Sequence, residues 1–357
     1  NARQSLKNLG GRNGGDNVNN NDDTTQTFNF TLNPYTMHHF GNYADSTFGY
    51  RFSQVVNTSS DTNNSAGHNL YYTLDSGSRF VVMPWSIAAN FNKVDYDDGG
   101  DNSKTYHLEG NSSYVLSRIW SIDGYGFYDK YDFDTNSSND EGFGGGAGLT
   151  WTPSNRTRFK IAYGYRVLTG WNLYFDLSHR RKRSTFTASL THDVQTSRSE
   201  QLNTPVFDDN GNPIFDPDAP DITNDEHYIH DRLRFGYTLQ GNRNTLNLSA
   251  YASRREGETS NDKQDSYGAG ASWNHSLTPQ LQSTAGIRWD RAKYDYQTKN
   301  NDTSDNDTWT FSAGLTHALG PHTNISLNLR HLTRTADDKR DEYDENRISL
   351  ALSTNWN

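Results

Sequence analysis

From Trp171 to Arg180 the chain reads Trp-Asn-Leu-Tyr-Phe-Asp-Leu-Ser-His-Arg, with an apolar or aromatic residue at every odd position and a polar or polar-tipped one at every even position. Side chains alternate across a β-strand, so such a stretch has two unlike faces. The same beat recurs along the chain, in Phe28–Leu32, Phe48–Phe52, Leu70–Leu74, Trp85–Phe91, Phe159–Val167 and Phe186–Leu190. It resumes in Leu233–Leu239, Leu246–Ala250, Tyr267–Trp273, Ala285–Trp289, Trp309–Leu315, Ile325–Leu329 and Ile348–Trp356. Helical periodicity is nowhere convincing. The pattern demands an all-β fold in which one face of nearly every strand meets an apolar medium.

Composition decides which medium. Only 32% of the 357 residues are hydrophobic and the mean hydropathy is -0.96, yet aromatics reach 13%. Disordered chains are depleted in large rings, so this chain folds with little apolar material to bury. Its longest apolar run, Phe80–Met83, is far short of the roughly 20 residues of a membrane helix. Cysteine is absent, which removes disulfide and thiolate chemistry. The first residue is Asn rather than Met, as in a processed, exported chain. A net charge of -10 argues against a nucleic-acid partner, which would require a basic balance.

The connections complete the fold reading. Short ones hold tight-turn residues, as in Ser76-Gly77-Ser78, Thr152-Pro153-Ser154-Asn155, Gly241–Asn244, Leu277–Gln280 and Gly320-Pro321-His322. Those between them are longer and rich in Asp, Asn, Ser and Thr, at 57–66, 95–103, 133–140, 257–264, 298–308, 336–345 and, longest, 198–226. Short periplasmic turns and long extracellular loops describe a transmembrane up-and-down antiparallel β-barrel. A soluble β-sandwich of this length would need several domains and linkers, and no composition shift marks one between 24 and 357. The strands also span about 10 to 14 residues, where soluble strands average five or six. The expectation is 16 to 18 strands, 18 favoured because single-chain barrels have even numbers. Residues 1–23 form a polar segment holding the end of a first strand near Ser5 to Leu9 and a loop, and 24–357 form one outer-membrane barrel domain.

If the aromatic face meets lipid, the other lines the lumen. The lumen path then comprises Arg51, Arg158, Lys160, Arg166, Asp176, Arg232, Arg234, Arg288, Asp290, Arg330 and Arg334, with Arg180, Tyr251, Asn328 and Arg347 beside them. A charge facing lipid at midplane costs about 2 to 4 kcal/mol, so strand arginines belong inside, where rings of them set anion preference. Trp85, Trp171, Trp273, Trp289, Trp309 and Trp356 form a lipid-facing girdle. The acidic loops, with Asp97-Asp98, Asp208-Asp209, Asp216, Asp218, Asp221 and Asp225, are solvated surface, although their oxygens would also suit a divalent cation.

Several look-alikes fail. The run Gly142-Phe143-Gly144-Gly145-Gly146-Ala147-Gly148 has no helix after it, so it reads as a strand whose inward face is kept small for a neighbour or a loop. Asp208–Asn212 lacks the closing glutamate and flanking helices of a calcium loop. His179, His275, His317 and His331 fall on outward faces near strand ends, an interfacial position rather than a metal site. No nucleophile elbow is present, so no catalytic residues, cofactor or metal are expected and the chain is not read as an enzyme.

The segment Ala162–Arg166 through Gly170–Leu173, with Leu177-Ser178-His179-Arg180-Arg181-Lys182-Arg183-Ser184, resembles the outer-membrane barrels associated with exosortase (PEP-CTERM) and exopolysaccharide gene clusters, which belong with the β-barrel porins. The segment Asn20–Val55, with Phe28–Pro34 and Tyr50-Arg51-Phe52-Ser53, is similar to that family too. The resemblance covers about a quarter of the chain and implies a role in Gram-negative outer-membrane export of a polysaccharide, together with a periplasmic export protein. It supplies no catalytic residues. Uronate carboxylates would suit an Arg-lined path. The resulting expectation is a conduit for an anionic exopolysaccharide in contact with outer-membrane lipid and lipopolysaccharide. The alternatives are a passive anion-preferring porin and a scaffold barrel around a multihaem electron-transfer protein. The sequence does not reveal the oligomeric state or whether loop 198–226 plugs the lumen.

Overall fold

The computed structural model describes residues 2–6, 24–57, 63–97, 102–133, 140–167, 169–196, 227–257, 261–296, 302–337, 339 and 342–354. These form one antiparallel sheet. Its first half comprises β1 (Ala2–Leu6), β2 (Thr24–Leu32), β3 (Tyr35–His39), β4 (Ala44–Asn57), β5 (Ser65–Ser76), β6 (Trp85–Tyr96), β7 (Ser103–Val115), β8 (Trp120–Phe133) and β9 (Asp140–Ser154). The second comprises β10 (Thr157–Arg166), β11 (Gly170–Arg180), β12 (Ser184–Thr196), β13 (His227–Gln240), β14 (Asn244–Gly257), β15 (Lys263–Ser276), β16 (Leu281–Tyr296), β17 (Asp302–Ala318), β18 (Thr323–Ala336) and β19 (Tyr343–Thr354). From β4 onward each strand pairs with the next, and the sheet is not closed: among the described residues no register joins β19 to β1.

Two segments share one strand position. β2 pairs with the Phe52–Asn57 end of β4 and β3 with its Asp45–Gly49 end. Between them Pro34, which has no N–H to give the ladder, breaks the pairing while its carbonyl accepts the Tyr50 N–H at 3.0 Å. Counting β2 and β3 as one interrupted strand gives 18, as the even-number rule predicts. The first described strand is Ala2–Leu6, and residues 7–9, where its end is expected, lie outside the described residues.

Long and short connections alternate with one departure from expectation. β10 and β11 are joined at the long-loop end by 167–169 alone, and Gly170 makes this turn with a φ of 71° that other residues adopt poorly. Strands also run longer than foreseen, to 17 residues in β17. Loop 198–226, with the acidic positions Asp208–Asp225 and the Asp208–Asn212 turn, and Asp98 lie outside the described residues.

Register fixes the faces. Leu246, Leu248, Ala250, Trp273, Ala271, Ile287, Phe311, Leu327 and Leu350 all fall on the outward side, in a band open to the surroundings. Tryptophan marks both edges of that band. Trp85, Trp273 and the stacked pair Trp120–Trp151 (5.8 Å) sit toward the short-turn end, while Trp171, Trp289 and Trp309 sit toward the loop end. Trp171 is 66% exposed and stacks on Tyr163, and the Trp289 indole N–H donates to Asp307 at 3.1 Å. Trp120 and Trp151 were missing from the sequence-based girdle, and Trp356 lies outside the described residues. The four histidines fall outward as expected, His275 stacking on Trp273 and His331 on Phe311. Two girdles with an apolar band between them match a bilayer with its interfaces.

Candidate functional site

The candidate site is the inward face. Directly opposed residues share a face, so the registers can be followed across strands. One row runs Lys160, Asp176, Ser189, Arg234, Tyr251, Gly268, Asp290, Thr308, Arg334 and Tyr343. Another links Arg158, Ser178, Thr187, Gly236, Ser249, Gly270, Arg288, Thr310, Leu332 and Glu345. A third opposes Arg330 to Arg347, with Asn328 two residues along the same strand. Arg232 faces Ser253, and Arg51 faces Asn69. Every described lumen residue named from sequence is therefore on one face, but not all are brought together.

On β13 to β19 the described inward side chains include Arg232, Arg234, Arg255, Arg288, Arg330, Arg334 and Arg347, with Asp290 and Glu345 as the carboxylates. Asp290 is 2% exposed. It accepts from Arg288 Nε at 2.7 Å and from the Tyr251 hydroxyl at 3.0 Å. Gly268 stands between Tyr251 and Asp290, and a Cβ there would overlap both side chains. At this level Ser253, Arg255, Ser266, Thr308 and Arg334 are also buried, although they face the lumen.

The wall from β4 to β12 is different. Its inward charges include Asp45, Asp75, Glu109, Asp123, Asp129, Asp176 and Asp193 beside Arg51, Arg158, Lys160, Arg166 and Arg180. Its centre is fully buried Asp129, which accepts from Arg166 Nε at 3.0 Å and contacts His107 Nδ1 at 2.5 Å. The other His107 nitrogen lies 3.1 Å from Glu109. The Arg166 guanidinium covers the Phe127 ring at 5.1 Å. The glycine run is the floor of this cluster: Phe127 fills the space a Cβ would need at Gly144, and Tyr125 does so at Gly146 and Gly164. The small inward face expected there has its neighbour.

Sequence reading missed His107, Glu109, Asp123 and Asp129 because β7 to β9 carry rings on both faces. Tyr128 and Ile122 point outward while Tyr125 and Phe127 point inward, so the polar beat is muted. The signal that remains is the strict spacing of Asp123, Tyr125, Phe127 and Asp129. Among the described inward side chains, the arginine excess belongs to β13–β19.

Residues 222–357, the stretch that forms β13 to β19, match the family model described as surface lipoprotein assembly modifier. The Trp171–Arg180 segment lies outside the matched residues, and the match does not carry the exosortase-linked resemblance. A ferric enterobactin receptor of Pseudomonas aeruginosa is similar in fold, with a TM-score of 0.50 and 9% identity over 92% of this chain and 70% of the receptor. In another structure of that receptor the chain spans 64% of the length, with 9% identity and a TM-score of 0.49 over 86% of this chain. The outer-membrane protein OmpT of Vibrio cholerae aligns over 93% of this chain and 98% of its own at 7% identity and a TM-score of 0.36. No curated protein matches. Fold, double girdle and family model agree on an outer-membrane β-barrel of a Gram-negative bacterium.

Proposed function

We propose that this chain is a non-enzymatic outer-membrane conduit that delivers a lipoprotein to the cell surface, with the β13–β19 wall as the face that handles the cargo. The observation that carries this reading is a coincidence of location. The family model described as surface lipoprotein assembly modifier covers the strands on which, among the described side chains, inward arginines outnumber carboxylates. A wall of one charge sign in a confined space concentrates its field and draws an acidic segment toward it. The partners are then a periplasmic lipoprotein and the surrounding lipid and lipopolysaccharide.

A polyuronate would meet the same arginines, so exopolysaccharide export is the reading against which the first is tested. An open anion porin is less favoured, because lumen-facing Ser253, Ser266 and Thr308 are buried where a wide aqueous channel would leave them wet. The test deletes the chain from its host and measures surface lipoprotein by protease accessibility on intact cells, alongside released polysaccharide. The lipoprotein reading predicts loss of accessible lipoprotein, restored by the wild-type chain, with polysaccharide release unchanged. Unchanged lipoprotein exposure, or loss of polysaccharide alone, overturns it.

A further inference from the structure

Three neighbouring short turns join β9 to β10, β11 to β12 and β13 to β14. Their residues are Asn155-Arg156, Arg181-Lys182-Arg183 and Gly241-Asn242-Arg243. All are exposed, and neither the turns nor the flanking stretches 152–158, 177–187 and 237–248 contain an Asp or Glu. The turns are tied to one another. The Arg180 N–H donates to the Arg156 carbonyl at 2.7 Å, the Gln240 N–H to the Arg183 carbonyl at 2.7 Å, and Arg183 Nη2 to the Asn242 side-chain oxygen at 3.5 Å. Five cations are therefore held close together with no carboxylate among them, an arrangement of mutual repulsion that an anionic ligand relieves.

We propose that these turns form the periplasmic docking site for an acidic polypeptide segment. Short turns mark the periplasmic end of such barrels. Two observations select a soluble ligand over the lipid leaflet. The patch continues onto Arg180, Arg158 and Lys160, which face the lumen where no bilayer reaches, with Asp176 opposite Lys160 as the first carboxylate met. The three turns also bear no apolar side chain. The turns 40–43, 77–84 and 116–119 elsewhere on the same rim instead expose Phe40, Val81, Met83 and Leu116 beside Arg79 and Arg118, the amphipathic make-up of a membrane interface. A polypeptide is favoured over a sugar polymer because the patch has no aromatic ring on which a sugar could stack. The ligand class rests on the polypeptide-cargo reading above, but binding is measured on its own, so either idea can fail without the other.

The purified chain in nanodiscs of zwitterionic lipid is titrated with fluorescent oligo-glutamate and followed by anisotropy. Binding is expected, weakening as salt rises from about 50 to about 300 mM. The combined variant Arg181→Glu, Lys182→Glu and Arg183→Glu should lose affinity by about tenfold or more, whereas Arg79→Glu with Arg118→Glu should leave it unchanged. Heat-modifiable migration on gels confirms that each variant is a folded barrel. Equal binding by the triple variant, equal loss in the Arg79/Arg118 control, or tighter binding of a polyuronate than of oligo-glutamate overturns the proposal.

Discussion

The two walls of the lumen solve the same problem, charge inside a barrel, in opposite ways. On β7 to β10 a buried carboxylate, Asp129, gathers His107 and Arg166, and glycines let Tyr125 and Phe127 lie flat beneath them. On β13 to β19 arginines exceed carboxylates, and Asp290 holds one of them with the help of Tyr251. The first wall is locally balanced and packed over a floor made for it. Among the described side chains, the second carries a surplus of one sign over the span of seven consecutive strands. The difference teaches that one wall is built as a brace, while the other, under the proposed function, is the surface that meets acidic cargo.

The largest expected effect breaks the brace. Gly144→Val places a side chain against both the Phe127 ring and the Tyr165 carbonyl, which is backbone and cannot turn aside. It should cost about 3 kcal/mol or prevent folding, whereas Gly268→Ala on the other wall has the Tyr251 and Asp290 side chains as its nearest neighbours and should cost about 1 to 2 kcal/mol. Urea unfolding in detergent, read by tryptophan fluorescence, ranks the two, and equal losses would erase the distinction. Next comes Asp129→Asn, which leaves Arg166 and His107 facing a neutral amide in a buried place and should cost about 2 to 3 kcal/mol. Asp290→Asn should cost about 1 kcal/mol, because the Arg288 side chain is 44% exposed and water takes over part of its solvation. A reversed order would mean that the β13–β19 wall, too, is a brace. Smallest is Lys130→Ala, which removes an outward pair with Glu141 at 2.9 Å between exposed side chains. A change within about 0.5 kcal/mol is expected, and a larger one in the same unfolding assay would show that outward ion pairs hold the barrel.

Alternation made the fold readable: a strand with one wet and one apolar face announces both its period and its medium, so Trp171–Arg180 and Leu233–Leu239 were legible residue by residue. Lumen arginines were readable for the same reason, since lipid forbids them the other face. The β7–β9 cluster was not, because Phe127 and Tyr125 lie inward over glycines and make the two faces look alike. Nor does alternation tell which arginines share a wall. Arg158 and Arg288 carry the same inward signature, and only the strand order places one on β10 and the other on β16. The tight connection at 167–169 escaped notice because the alternation continues to Val167 and only the positive φ of Gly170 betrays the turn.

The central claim is that inside the barrel the β13–β19 wall handles the cargo and the β4–β9 wall does not. It is tested by placing negative charge on each wall in turn, Arg232→Glu with Arg234→Glu against the opposed inward pair Arg51→Glu with Asn69→Glu, and measuring protease-accessible lipoprotein on intact cells at matched levels of folded barrel. Loss of surface lipoprotein for the first pair and retention for the second is the predicted result. Equal loss from both pairs, or retention in the first, would contradict it.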